Sequence, residues 1–94
     1  MKKLNEEEIA IELEKVHGWS VESNSIRKIF NTDGFPQTMG LVSAICGLCQ
    51  QFDHHPDYLT LKYSSVEISF STHSAGGITL KDFEIASAIN NLKF

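Results

Sequence analysis

From Tyr58 to His73, apolar and polar side chains alternate almost without a break. Leu59, Leu61 and Tyr63 interleave with Tyr58, Thr60 and Lys62, and then Val66, Ile68, Phe70 and Thr72 interleave with Glu67, Ser69, Ser71 and His73. Successive strand side chains point to opposite sides, so this pattern dictates a sheet with one face in a core and one more polar. Ser64-Ser65 between the two runs reads as a hairpin turn, which makes the pair antiparallel. Trp19-Ser20-Val21 and Ile26-Arg27-Lys28-Ile29-Phe30 give a second, less regular pair around a turn at Glu22 to Ser25.

Helical patterns fill the remaining chain. Asn5 caps a first helix, Glu8 completes a capping box, and Leu4 and Ile9 stand at the two positions of a hydrophobic staple. Ile9, Leu13 and Val16 share one face, Gly18 is the expected stop, and His17 reads as a last-turn residue at the carbonyl end. A second helix is expected from near Pro36 to about Gln51. Its apolar residues form two series: Phe35, Met39, Val42, Cys46 and Cys49, then Leu41, Ile45, Leu48 and Phe52. That breadth predicts burial on more than one side. Gly40, Ser43, Ala44 and Gly47 add a row of small residues that would admit a close backbone neighbour. Ser74-Ala75-Gly76-Gly77 reads as a flexible loop where backbone could come close to a ligand. Thr79 caps a third helix with Asp82 at the capping-box position and Phe83, Ala86 and Ile89 as its apolar stripe.

The order α-β-β-α-β-β-α predicts a single α+β domain over residues 1–94. Its two hairpins make a four-stranded antiparallel sheet, with three helices on one face. The surplus apolar surface of the second helix predicts a homo-oligomer.

Charge and length exclude several classes of function. A net charge of −4 argues against non-specific binding to nucleic acid or to anionic lipid, both of which reward a basic surface. The start, Met1-Lys2-Lys3-Leu4, runs into Asn5-Glu6-Glu7-Glu8 without the apolar core of a signal peptide, and the stretch from Met39 to Cys49 is too short to cross a membrane. A cytoplasmic protein is expected. Cys46 and Cys49 have C-x-x-C spacing, but they lie late in a helix with no second pair to complete a zinc site. They are read as small core residues.

Chemistry concentrates in Phe52-Asp53-His54-His55-Pro56-Asp57-Tyr58, which holds two of the four histidines. Imidazole, with an unperturbed pKa of roughly 6.5, exchanges protons near neutrality. His73 supplies a third ring, Ser71, Thr72 and Ser74 supply hydroxyls, and Asp53 can orient an imidazole. Adjacent histidines rarely face one metal, no H-x-x-x-H pair exists, and neither a G-x-S-x-G elbow nor a phosphate loop is present. The inventory suits general acid–base catalysis without naming a substrate.

The run Asp53-His54-His55-Pro56-Asp57-Tyr58, the aromatic Tyr63, His73 in Ser-Thr-His, and Gly-Ile-Thr-x-x-Asp ending at Asp82 resemble the pterin-4a-carbinolamine dehydratase family. Gly18-Trp19 and Phe35 extend the resemblance over nearly the whole chain. The resemblance implies a homodimer or homotetramer that removes water from a 4a-hydroxytetrahydropterin, giving quinonoid dihydropterin during tetrahydrobiopterin recycling, with no metal or other cofactor. It implies His54, His55 and His73 as catalytic residues, with Asp53, Ser71, Thr72 and Ser74 also lining the pterin site. Gln50 and Asp82 would support them. The chain departs from the family pattern where Gln50 replaces a usual glutamate, Ser74 a usual acidic residue and Tyr58 a common tryptophan. Cys46 and Cys49 stand where the family has alanine. Two other roles known in the family compete with this one. They are a pterin-binding function in molybdopterin metabolism and a non-catalytic dimerisation module for a protein partner.

Overall fold

The computed structural model describes residues 1–94. Its elements follow the expected order: α1 (Glu6–Leu13), β1 (Ser20–Glu22), β2 (Ser25–Asn31), α2 (Phe35–Phe52), β3 (Tyr58–Lys62), β4 (Ser65–Phe70) and α3 (Leu80–Asn90). A single 3-10 turn, His73–Ala75, lies between β4 and α3. The strands form one antiparallel sheet in the order β1-β2-β4-β3, so the two hairpins join through β2 and β4 at the centre. No helix is long and apolar enough to cross a membrane.

Register explains which face is buried. Ile26 pairs with Phe70, Lys28 with Ile68 and Phe30 with Val66, while Leu59 lies opposite Ile68 on the other side of β4. Directly paired residues share a face, so these side chains stand together under the helices. Ile26, Phe30, Val66, Ile68 and Phe70 belong to one buried cluster with Leu41, Ile45 and Cys49 of α2 and Phe83, Ile85, Ala86 and Ile89 of α3. The opposite face is polar: Arg27 and the Tyr58 hydroxyl both reach the Glu67 carboxylate, at 3.2 and 2.6 Å. That hydroxyl, and after it Arg27, holds the Glu67 carboxyl below the usual range.

The caps form as the sequence dictates. Asn5 and Glu8 make a reciprocal capping box at α1, and Thr79 and Asp82 make one at α3. Other expectations need correction. The first helix stops at Leu13 rather than near Gly18, which places His17 in an exposed turn outside it. The carbonyl of His17 instead accepts from Lys28 Nζ at 3.0 Å and Asn90 Nδ2 at 3.1 Å. Gly18 has a φ of 85°, and a Cβ there would fall 2.7 Å from Lys28 Cε, so glycine is what lets this lysine reach in. Asn90 Oδ1 also accepts from Trp19 Nε1 at 3.0 Å, which ties the start of β1 to the end of α3. The second hairpin turns at Tyr63-Ser64, one residue earlier than expected, because Lys62 pairs with Ser65.

The second helix shows the largest difference. Only Thr38, Leu41, Ile45 and Cys49 of α2 are buried, a single stripe, and Phe35, Met39 and Cys46 are exposed. Cys46 is therefore not a core residue, whereas Cys49 is, and its burial pushes the thiol pKa up. Nothing lies within 4 Å of where a Cβ would stand at Gly40 or Gly47, so within one chain no backbone packs against either glycine.

Candidate active site

The histidine loop is set by how α2 ends. Asp53 adopts a left-handed conformation, φ 50° and ψ 47°, and the His54 N–H returns to the Cys49 carbonyl at 3.0 Å. The Asp53 N–H meets Gln50 O at 3.3 Å. These are the bonds of a Schellman stop with aspartate in place of the usual glycine; a short polar side chain tolerates that conformation better than most. Lys81 Nζ, from the first turn of α3, holds the Asp53 carbonyl at 3.0 Å. The Asp57 N–H donates to Ser69 O at 2.7 Å and seats the far end of the loop on β4.

This reversal sends His54 inward. Its ring stacks on Phe70, with centroids 5.6 Å apart, and its Nε2 lies 2.5 Å from Asp82 Oδ1. Asp82 is fully buried. Its second oxygen accepts from Thr72 Oγ1 at 3.0 Å and from the Thr79 N–H at 2.9 Å. With Thr72 donating to the carboxylate, the 2.8 Å contact between Thr72 and Thr79 has Thr79 Oγ1 as donor. A carboxylate at Nε2 makes that nitrogen the protonated one, which leaves Nδ1 as an acceptor. No buried side-chain nitrogen or oxygen lacks a partner, so this free Nδ1 is open to solvent.

His73 forms a second pair of the same kind at the surface. It is not at a strand end as expected, because β4 stops at Phe70, where its pairing with β2 runs out at Ile26. Thr72 stays extended and bridges to Gly77, and His73 opens the 3-10 turn that closes at a left-handed Gly76. The Ser74–Gly77 segment is thus a hydrogen-bonded turn rather than a flexible loop. The extended tail still alternates. Thr72 points in to Asp82, while Ser71 and His73 point out to Asp57. His73 Nε2 lies 2.8 Å from Asp57 Oδ1.

The third imidazole stands apart. His55 is exposed, makes no side-chain hydrogen bond, and lines a groove of about 320 Å³ with Gln50, Cys46, Val42 and Leu59. The structure therefore joins His54, Thr72 and Asp82 in one cluster and Ser71, His73 and Asp57 in another. It leaves His55, Gln50, Asp53 and Ser74 exposed without a side-chain partner. The carboxylates that orient the rings are Asp82 and Asp57, not Asp53. Sequence reasoning missed Asp57 as a ring partner. The signal was present: Asp57 stands between Pro56 and the start of β3, the strand beside β4, whose tail carries Ser71 and His73. No three His, Cys, Asp or Glu side chains are placed to hold a metal ion.

Comparison with known proteins identifies the family. The family model for pterin 4 alpha carbinolamine dehydratase matches residues 2–92. A protein of Sulfolobus acidocaldarius named "Putative pterin-4-alpha-carbinolamine dehydratase" is 42% identical over 91 residues, covering 97% of this chain and 99% of its own. A relative of the same name from Aquifex aeolicus is 39% identical over 92 residues, covering 98% of this chain and 92% of its own. A crystal structure of a transcriptional coactivator/pterin dehydratase from Brucella melitensis superposes with a TM-score of 0.90 at 26% identity, over 95% of this chain and 96% of that one. From its first residues to the end of α3, then, this chain belongs to the pterin-4a-carbinolamine dehydratase family.

Proposed function

We propose that the protein removes water from a 4a-hydroxytetrahydropterin by proton transfer through His54, His55 and His73. The reaction needs one proton delivered to the departing 4a-hydroxyl as its carbon–oxygen bond breaks. A second proton leaves the neighbouring ring nitrogen as the carbon–nitrogen double bond forms, giving the quinonoid dihydropterin and water. Acid and base are thus consumed and regenerated in equal number, and imidazole, which can both give and take a proton, suits both halves. In this reading the reaction serves the recycling of tetrahydrobiopterin, and Asp53, Ser71, Thr72 and Ser74 line the pterin.

The observation that carries the reading is the pairing of two imidazoles with carboxylates at Nε2, His54 with Asp82 and His73 with Asp57. A carboxylate so placed fixes the tautomer and stabilises the positive charge that develops when the other nitrogen takes a proton. Wild-type protein should accelerate dehydration of a synthetic 4a-hydroxytetrahydropterin, and His55→Ala should lower kcat by about 10²- to 10⁴-fold. A wild-type rate no faster than buffer would overturn the reading.

Self-association belongs to the same proposal, because Phe35, Met39, Leu61 and Tyr63 leave apolar surface open on α2 and beside β3. Sedimentation equilibrium should give a mass of at least two chains, and a monomer at micromolar concentration would remove this part.

A further inference from the structure

Asp57 is held more firmly than its surroundings require. Pro56 restricts the chain just before it, its N–H is bonded to Ser69 O, and both carboxylate oxygens lie 2.8 Å from Ser71 Oγ. The Asp57 side chain is only 21% exposed, yet the His73 side chain it grips is 84% exposed. An ion pair or hydrogen bond on so open a ring contributes little to folding. Its chemical effect is larger. Nε2–H is committed to Asp57, the plane of the ring is fixed, and the Nδ1 lone pair is the only acceptor left to face a bound molecule.

We propose that Asp57 is a positioning residue of the dehydratase site, acting through His73 without touching substrate. With Ser71 it holds His73 as the Nε2–H tautomer and makes Nδ1 the atom that exchanges a proton with the pterin. This rests on the reading of His73 as an acid–base group and goes beyond it by naming the working nitrogen and the carboxylate behind it. It also makes the surface pair a counterpart of the buried one, since Asp82 commits the same nitrogen of His54.

The test compares wild type, Asp57→Asn and Asp57→Glu by two independent measurements. Heteronuclear NMR of the imidazole nitrogens, without substrate, should show the neutral His73 ring as Nε2–H in wild type and as a tautomer mixture in Asp57→Asn. Steady-state dehydration should show kcat lower by about 10- to 100-fold in Asp57→Asn with little change in KM, and partly restored in Asp57→Glu. Unchanged thermal midpoints would show that the fold is intact. A wild-type ring protonated at Nδ1, or an Asp57→Asn variant with wild-type kcat, would overturn the inference. If wild type itself has no dehydratase activity, the functional reading falls and takes the catalytic role of Asp57 with it, while the NMR still decides the tautomer.

Discussion

The two carboxylate–imidazole pairs use the same atoms in opposite surroundings. In one, both side chains are nearly sealed, His54 at 9% and Asp82 at 0% exposure. In the other, a partly covered Asp57 holds a ring that stands in water. Asp82 also caps α3 and anchors Thr72, so the inner pair is part of what holds the helix, the strand tail and the loop together. The outer pair ties only Ser71 and His73. Similar bonds thus carry different energetic weight. A buried charge that loses its partner pays its full desolvation, whereas an exposed one is taken over by solvent.

The sharpest way to break the comparison is Asp82→Ala. It would strip His54, Thr72 and the Thr79 N–H of their acceptor at once, and should lower unfolding free energy by about 3–5 kcal/mol in a urea titration. A loss below about 1 kcal/mol would mean that water replaces the carboxylate and that burial has been overvalued. His73→Ala should do the reverse: the same titration should move by no more than about 1 kcal/mol, while dehydration slows as much as for His55→Ala. Glu67 extends the contrast to a third carboxylate, on the polar outer face. Its folded pKa is lowered from the ordinary glutamate value by the Tyr58 hydroxyl first and then by Arg27. A carboxyl with a lowered folded pKa adds stability above its unfolded pKa and loses it as pH falls through the folded value. The stability gap between wild type and Glu67→Gln should therefore be small, greatest above pH 4.5, and should close as the solution is acidified. A gap that widened in acid would reverse the assignment.

Much of the scaffold could be read from local rules because it is built by them. The capping boxes at Asn5 and Thr79 need only residues three apart, and the strand pattern needs only alternate positions. What local rules could not supply were the consequences of partners distant in sequence. The alternation runs on to His73, but β4 ends at Phe70, whose partner Ile26 is the last pair of the β2–β4 ladder. The two apolar series of α2 are real, yet within one chain only the Leu41, Ile45 and Cys49 stripe is fully buried, with Val42, Leu48 and Phe52 half-buried beside it, which leaves Cys46 outside. At the candidate site, His54, His55 and His73 stood out by type and position. The carboxylates behind the rings lie 28 and 16 residues away in the chain, and adjacency pointed instead to Asp53, whose left-handed backbone serves the helix stop.

The double duty of Asp82 bears on how this fold changes through descent. Because one carboxylate both starts α3 and receives His54, a change at Asp82 would remove the helix cap and the ring's partner together, whether or not the chain still processes a pterin. Asp57 and His73 have no such protection. In a descendant recruited to another task, the outer pair is the one free to drift, and its erosion beside an intact inner pair would mark a scaffold that has outlived its chemistry.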